Sequence, residues 1–336
     1  MKLGLILFFI LNFTNLYCET IKVPLEIENK IYVELKKLEN NHKNKEIVRN
    51  ILKIKAEYVE EIIFKHIDSI EELSPKSIVP IVKILGHFNT HRAILTISKY
   101  AEPYQKKRAN EEKIERTRHI RITAIKSILL TLSKERIAHT IKYIKDQDPI
   151  FQSSVLRTFR KKKILEGIVP AYQVFKNSSS EKKFNVKVDA ASLIINLSKD
   201  PLMKNNVLLN MINDANIHMR KAGLALIPDG GNANDKEVRD RVIEIIKKSK
   251  GGELELACKS AGKLRISNGV DLLIKTLSDV KNPMTKWECL YALFLIKYDK
   301  DKLKILIKEQ IDKSKTKSYL KGGDQIRFER LLKYVN

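Results

Sequence analysis

A short helix-like segment recurs along this chain at intervals of 30 to 36 residues, and it constrains the fold more than any other feature of the sequence. Each copy carries a small residue where an ordinary helix would carry a large apolar one. The positions concerned are Ala124, Ser154, Ala190, Ala222, Cys258 and Cys289. About one helical turn later, four of the six copies have a second small residue: Ser127, Ala225, Ala261 and Ala292. A period of this length is typical of repeat arrays.

Between these copies lie segments that are richer in large aliphatic residues, for example 201–214 and 236–248. Several of them end in Asp just before the next copy, at Asp148, Asp214 and Asp279. An Asp side chain stabilises the start of a helix by accepting a hydrogen bond from a free backbone N–H. The predicted unit is therefore a helix with small residues, a tight turn and an amphipathic helix. Because one unit cannot bury its apolar face alone, the pattern predicts an all-α fold, an α-solenoid of stacked antiparallel helix pairs.

Three copies, "MRKAGLAL" from 219, "VKVDAASLI" from 186 and "LACKSAGKL" from 256, resemble the first helix of the HEAT-like repeats. In the short form of that family, also called PBS-lyase HEAT-like, this helix reads roughly V-R-x-x-A-A-x-A-L-G. The resemblance covers about six units over residues 118–312 and implies a HEAT/armadillo-like superhelix. We expect degenerate repeats or a cap over 19–117, and a capping helix over 313–336, since the terminal repeats of an array are atypical.

The small residues predict where neighbouring helices approach each other. We expect Ala222 and Ala225 on the packed face of their helix, with Arg220 and Lys221 at its solvent-facing rim. On this expectation Ala225→Leu costs about 1–3 kcal/mol by overpacking. Lys221→Ala changes stability by less than about 0.5 kcal/mol.

The first residues predict export. Lys2 precedes the apolar run "LGLILFFILNF" and a polar segment, the pattern of a secretory signal peptide over 1–18. An apolar core helix is the alternative. Cys18 stands where a bacterial lipoprotein carries its acylated cysteine, but the bulky Tyr17 departs from that pattern, so cleavage and release stay open. The predicted location is the bacterial cell envelope or periplasm, with the protein soluble or lipid-anchored.

The formal net charge is +24, which favours anionic partners. Basic residues cluster around the first two repeats, in turns that a solenoid would align along one edge. The predicted ridge comprises Lys106, Lys107, Arg108, Arg116, Arg118, Arg121, Arg160, Lys161, Lys162 and Lys163. The alternative is a set of solvated turns in a lysine-rich protein. Lys is also far commoner than Arg, whereas readers of phosphates and bases favour Arg.

Other candidate sites give weaker predictions. Cys258 and Cys289 occupy equivalent positions in adjacent units, where helix axes lie about 8–10 Å apart, so we expect buried free thiols rather than a disulfide. His87 and His91 are four residues apart, but no third ligand completes a metal site nearby. We predict no metal, no cofactor and no catalytic residue.

The sequence thus predicts a non-enzymatic exported scaffold that binds another protein or an anionic envelope component through a solenoid surface. Contact with a membrane is expected only through a lipid on Cys18. The resemblance also implies an alternative, an enzyme such as a DNA glycosylase that acts on alkylated bases. A nucleic-acid partner is not expected, because the chain has a single Trp and an export signal.

Overall fold

The computed structural model describes residues 21–40, 45–69, 75–103, 111–179, 181, 183–227, 236–315 and 322–335. Within these ranges the chain is all-α, with eighteen α-helices and no strand. The α-helices α1 to α18 are, in order, Leu25–Asn40, Lys45–Leu52, Ala56–Ser69, Pro75–Leu85, His91–Ala101, Glu111–Ile128, Lys134–Ile141, Pro149–Lys162, Ile168–Asn177, Phe184–Leu197, Pro201–Ile212, Ile217–Leu226, Lys236–Lys248, Gly251–Lys263, Val270–Asp279, Pro283–Ile296, Lys300–Lys315 and Gly322–Val335. Short 3₁₀ turns are Lys142–Lys145, Leu165–Gly167 and Ser267–Gly269.

The chain divides into two compact units at Thr140–Ile141. In the second unit, α8, α10, α12, α14 and α16 pack against one another in sequence and form a layer of first helices. The intervening helices α9, α11, α13, α15 and α17 each pack beside them. Neighbouring helices therefore pack in pairs, and the predicted α-solenoid architecture is confirmed.

Helix starts follow the chemistry that the sequence predicts, but not always at the predicted residue. Asp148 caps α8 by accepting from the N–H groups of Ile150 and Phe151. Asp214 and Asp279 do not cap the next helices; Asn216 and Asn282 do so instead. Asp214 accepts from the N–H of Asn216 and shapes the turn, three residues before the helix begins.

The structure also corrects the predicted packed face of α12. Ala222 is only half-buried and Ala225 is exposed, whereas Gly223 is buried. A Cβ on Gly223 would lie 2.7 Å from Met211 Cβ, so α11 and α12 meet at the glycine. The packed face is thus shifted by one residue, and the smallest residue of the segment marks the closest approach.

None of the helices in the described ranges is long and apolar enough to span a membrane. The predicted signal peptide and Cys18 lie outside the described residues.

Candidate functional site

Part of the positive charge in the second unit is used inside the stack. Each first helix from α8 to α14 directs a basic side chain at a carboxylate of the next repeat or of the turn before it. Three ion pairs join two helices and one joins α10 to the α11–α12 turn: Arg157–Asp189 (2.8 Å), Arg220–Glu253 (2.6 Å), Lys259–Glu288 (3.8 Å) and Lys187–Asp214 (3.6 Å). These cations therefore contribute to contacts between successive repeats.

The carboxylates of these pairs are sheltered from solvent. The side chains of Asp189, Glu253 and Glu288 are 9%, 7% and 6% exposed. Asp189 also accepts a hydrogen bond from the Ser153 hydroxyl. Glu288 is less well satisfied, because its Oε2 is buried without a hydrogen-bond partner among the described residues. Burial raises the pKa of Glu288 despite the neighbouring Lys259.

The predicted basic ridge is contradicted at one residue. Arg121 is only 4% exposed, and its Nε donates to the carbonyl oxygen of Ala101 at 2.8 Å, so it cannot contribute to a surface ridge. Arg160 is half-buried and donates to the Ser192 hydroxyl. Lys161 and Lys163 are exposed.

Two more ridge residues have described side chains, Lys162 and Arg118, and both are half-exposed. Lys106, Lys107, Arg108 and the side chain of Arg116 lie outside the described residues. The surface that remains for the predicted ridge in the second unit is the last turn of α8 and its C-cap.

A different basic surface lies farther along the second unit. A cleft of about 740 Å³ opens between the α13–α14 turn and the α15–α16 turn. Its apolar lining comes from Ile246, Leu254, Leu272 and Val280, and its basic lining from Lys247, Lys250, Lys275 and Lys281. We call this the lysine cleft. Asp279 is the one carboxylate among the described lining residues, and none of the four lysines forms an ion pair within the described part of the chain.

The start of α14 adds to the positive potential of the lysine cleft. Lys250 occupies the N-cap position, and no side chain there caps the free N–H groups. A Cβ on Gly252 would lie 3.2 Å from Lys221 Nζ, so a lysine amino group covers the positive end of this helix. The buried Ser249 hydroxyl, at the end of α13, has no hydrogen-bond partner among the described residues. These donors can together receive an anionic group.

Helix electrostatics explain only part of this charge. Lys247 lies in the last turn of α13, where a cation interacts favourably with the helix dipole. Lys250 and Lys281 each lie between two helix ends: each follows the C-terminus of one helix by two residues, where a cation is favoured, and lies at or just before the N-terminus of the next, where it is disfavoured. The two dipoles act in opposite directions, so helix electrostatics do not determine the placement of these lysines.

The corresponding cleft between two earlier helix pairs has a different lining. There a cleft of about 590 Å³ is bordered by Lys187, by Asp214 and by the asparagines of α11 and its C-cap, Asn206, Asn210 and Asn213. Lys187 is paired with Asp214. The unpaired lysines are thus a property of the lysine cleft and not of every turn on this edge.

The candidate metal pair is not assembled. His87 lies in the turn after α4, and His91 is the first residue of α5, with its Nδ1 in contact with Glu135. No group of three His, Cys, Asp or Glu side chains suited to a metal ion occurs among the described residues.

The two cysteines are buried free thiols, as predicted. The distance argument behind that prediction was wrong, because their Sγ atoms lie only 3.2 Å apart.

Neither a scan against protein-family models nor a search of the curated proteins found a match for this chain. The fold and the surface together define an α-solenoid with a lysine-lined cleft between successive helix pairs.

The lysine cleft was missed by sequence reasoning, which looked for runs of adjacent basic residues. A partial signal is a lysine in the turn before each of two successive first helices, Lys250 and Lys281, although Lys183 occupies the same place before α10.

Proposed function

We propose that this protein is a non-enzymatic, HEAT-like scaffold of the bacterial cell envelope that binds an acidic segment of a partner protein in the lysine cleft. The observation that carries the proposal is the cleft itself, an apolar floor surrounded by lysines that lack carboxylate partners among the described residues. A partner segment in which acidic and apolar residues alternate would satisfy both features, because the alternate side chains of an extended peptide point in opposite directions.

The lining favours a polypeptide over a nucleic acid. Proteins that bind single strands stack bases on aromatic side chains, and those that read bases favour Arg. The described lining of the lysine cleft contains neither an aromatic residue nor an arginine. Lys is a compact point charge on a flexible stem with three rotatable donors, which suits pairing with single carboxylates.

Fluorescence anisotropy with a labelled peptide in which Glu alternates with Leu tests the binding proposal. We expect the full chain to bind it and to bind the Gln-for-Glu peptide at least tenfold more weakly. Replacing Leu by Ser should also weaken binding, because it removes the contact with the apolar floor. Equal affinity for all three peptides would contradict the proposal.

A pair of matched double variants locates the binding surface. Lys250→Glu with Lys281→Glu reverses charge in the lysine cleft, and both carboxylates suit the start of a helix. Lys161→Glu in the last turn of α8, with Lys163→Glu at its C-cap, reverses the same charge at the end of α8. We expect the first variant to lose about tenfold or more in affinity, a change of about 1.4 kcal/mol or more, while the second stays within about twofold. The reverse result would assign binding to the predicted ridge.

The proposal of export depends on the N-terminal sequence, and a reporter fusion together with cell fractionation tests it. A reporter enzyme that is active only outside the cytoplasm, fused after residue 18, should be active, and Lys2→Glu should lower its export. Incorporation of labelled fatty acid that is lost in Cys18→Ser would show the lipoprotein route, whereas processing without incorporation would show release. Retention of the native protein in the cytoplasm would refute the envelope location.

The non-enzymatic part of the proposal has its own test. The purified chain, at any protein concentration, should release no base from duplex DNA that contains alkylated bases. Release of the damaged base would refute this part of the proposal and support the alternative that the HEAT-like resemblance implies.

A further inference from the structure

Cys258 in α14 and Cys289 in α16 face each other across the boundary between two successive helix pairs of the second unit. Both residues are fully buried. Their Sγ atoms are 3.2 Å apart, and the thiol of Cys289 donates to the sulfur of Cys258. We infer that this pair is a disulfide-forming site that joins one helix pair of the solenoid to the next.

The close approach has a backbone cause. A Cβ on Gly262, one helical turn after Cys258, would lie 2.6 Å from the Cα of Ala292. No side chain larger than hydrogen fits there, so α14 and α16 are in direct contact along this stretch. Small residues on both helices therefore bring the two thiols together.

The sulfur atoms are close to bonding distance. A disulfide has an S–S distance of about 2.04 Å, so the two Sγ atoms must approach by about 1.2 Å. The two thiols have no competing cysteine beside them, since no other cysteine occurs among the described residues. The third thiol of the chain, Cys18, lies outside those residues.

The reaction needs a disulfide-bonded oxidant, for which oxidised glutathione serves. The thiolate of one cysteine attacks the oxidant and releases one glutathione thiolate, leaving a mixed disulfide. The second cysteine then loses its proton, attacks the mixed disulfide at the protein sulfur and releases the second glutathione. The two protein thiols lose two protons and two electrons, and the oxidant gains them as two thiols.

Burial determines when this exchange can occur. The hydrogen bond from Cys289 and burial both raise the pKa of Cys258, so the thiolate is scarce in the closed structure. Oxidation is therefore expected during folding, or when α16 opens transiently from α14.

Thiol counting on the full chain with Cys18→Ser tests the inference. The chain is refolded with either a reducing agent or oxidised glutathione, then denatured and treated with a maleimide. We expect two labelled thiols in the reduced sample and none in the oxidised one, with one cross-linked peptide that contains both cysteines.

The competing outcome is chemically distinct. Two free thiols after oxidative refolding, or glutathione attached separately to each cysteine, would overturn the inference. In the matched variant that also carries Cys289→Ser, Cys258 should end as a glutathione adduct or a free thiol and never as an internal cross-link. The main result does not depend on whether that variant folds, because it comes from the chain that retains both cysteines.

Discussion

Arg136 is fully buried in the first unit, and its removal gives the sharpest test of how this unit holds together. Its guanidinium reaches the turn after α4 and the end of α6, where helix termini leave backbone carbonyls without partners. The acceptors are Asn89 Oδ1 and the carbonyl oxygens of Gly86, Phe88, Ser127 and Ile128. Burial lowers the pKa of this guanidinium, because the charged form loses its hydration. The hydrogen bonds to those oxygens offset this loss.

The size of the effect follows from the acceptors that lose their donor. Arg136→Met keeps the volume of the side-chain stem but removes every N–H. The Ser127 carbonyl keeps a second donor, the N–H of Leu130. The carbonyls of Gly86, Phe88 and Ile128 lose the guanidinium, at about 1–3 kcal/mol for each buried acceptor. Water that enters the site reduces this penalty, so the low end gives an expected loss of about 3 kcal/mol.

Urea denaturation followed by circular dichroism measures the loss, with Lys134→Met as the matched control. Lys134 is exposed on the same helix and should change stability by less than about 0.5 kcal/mol. Hydrogen exchange should show lost protection in 82–90 and 121–130. If Arg136→Met were neutral, or if protection were lost mainly in the second unit, the role assigned to this arginine would be refuted.

Three further predictions concern the second unit. Gly223→Leu should lower stability by about 1–3 kcal/mol in urea titrations because its Cβ meets α11, whereas Ala225→Leu, on the exposed side, should stay within about 0.5 kcal/mol. The raised pKa of Glu288 means that the folded state keeps a proton that the unfolded state has lost, so stability should fall as pH rises above about 4.5, and Glu288→Gln should flatten this slope. Lys221→Ala should be neutral or slightly stabilising, because it removes a cation from the N-terminus of α14.

The helical array was predictable from the sequence because its signal is repeated. Small residues at a period of 30 to 36 indicate paired helices even when one copy is misaligned. The packed face of α12 could not be derived from the same signal. The segment offers three small residues, Ala222, Gly223 and Ala225, and the repeat spacing alone does not show which of them faces α11. Gly223 was the better marker, since only glycine lets α11 approach so closely.

The contacts between successive helix pairs were harder to predict. The partners in the ion pairs between successive repeats lie 27 to 33 residues apart, so the pairing depends on how each helix is rotated against the next. The distance between Cys258 and Cys289 was misjudged for a related reason. A typical helix separation was assumed, and the contact between Gly262 and Ala292 makes this boundary much tighter.

The lysine-rich composition alone does not account for the lysine cleft. A lysine before a first helix is not peculiar to this cleft, because Lys183 is the N-cap residue of α10; what distinguishes the cleft is four lysines around one apolar lining. The α11–α12 turn instead carries Asp214, which pairs with Lys187, and its cleft is otherwise lined mainly by amides.

The α13–α14 and α15–α16 turns carry Lys250 and Lys281, which form no ion pair among the described residues and share the cleft with Lys247 and Lys275. Like charges gathered around one cleft repel one another, a cost that the paired Lys187 of the earlier cleft does not bear. An anionic partner removes that cost on binding, so the charge-reversal pair Lys250→Glu with Lys281→Glu should stabilise the free protein while it weakens binding about tenfold or more. Loss of binding together with a gain in stability would separate this explanation from simple unfolding, and a loss of stability in the free variant would refute it.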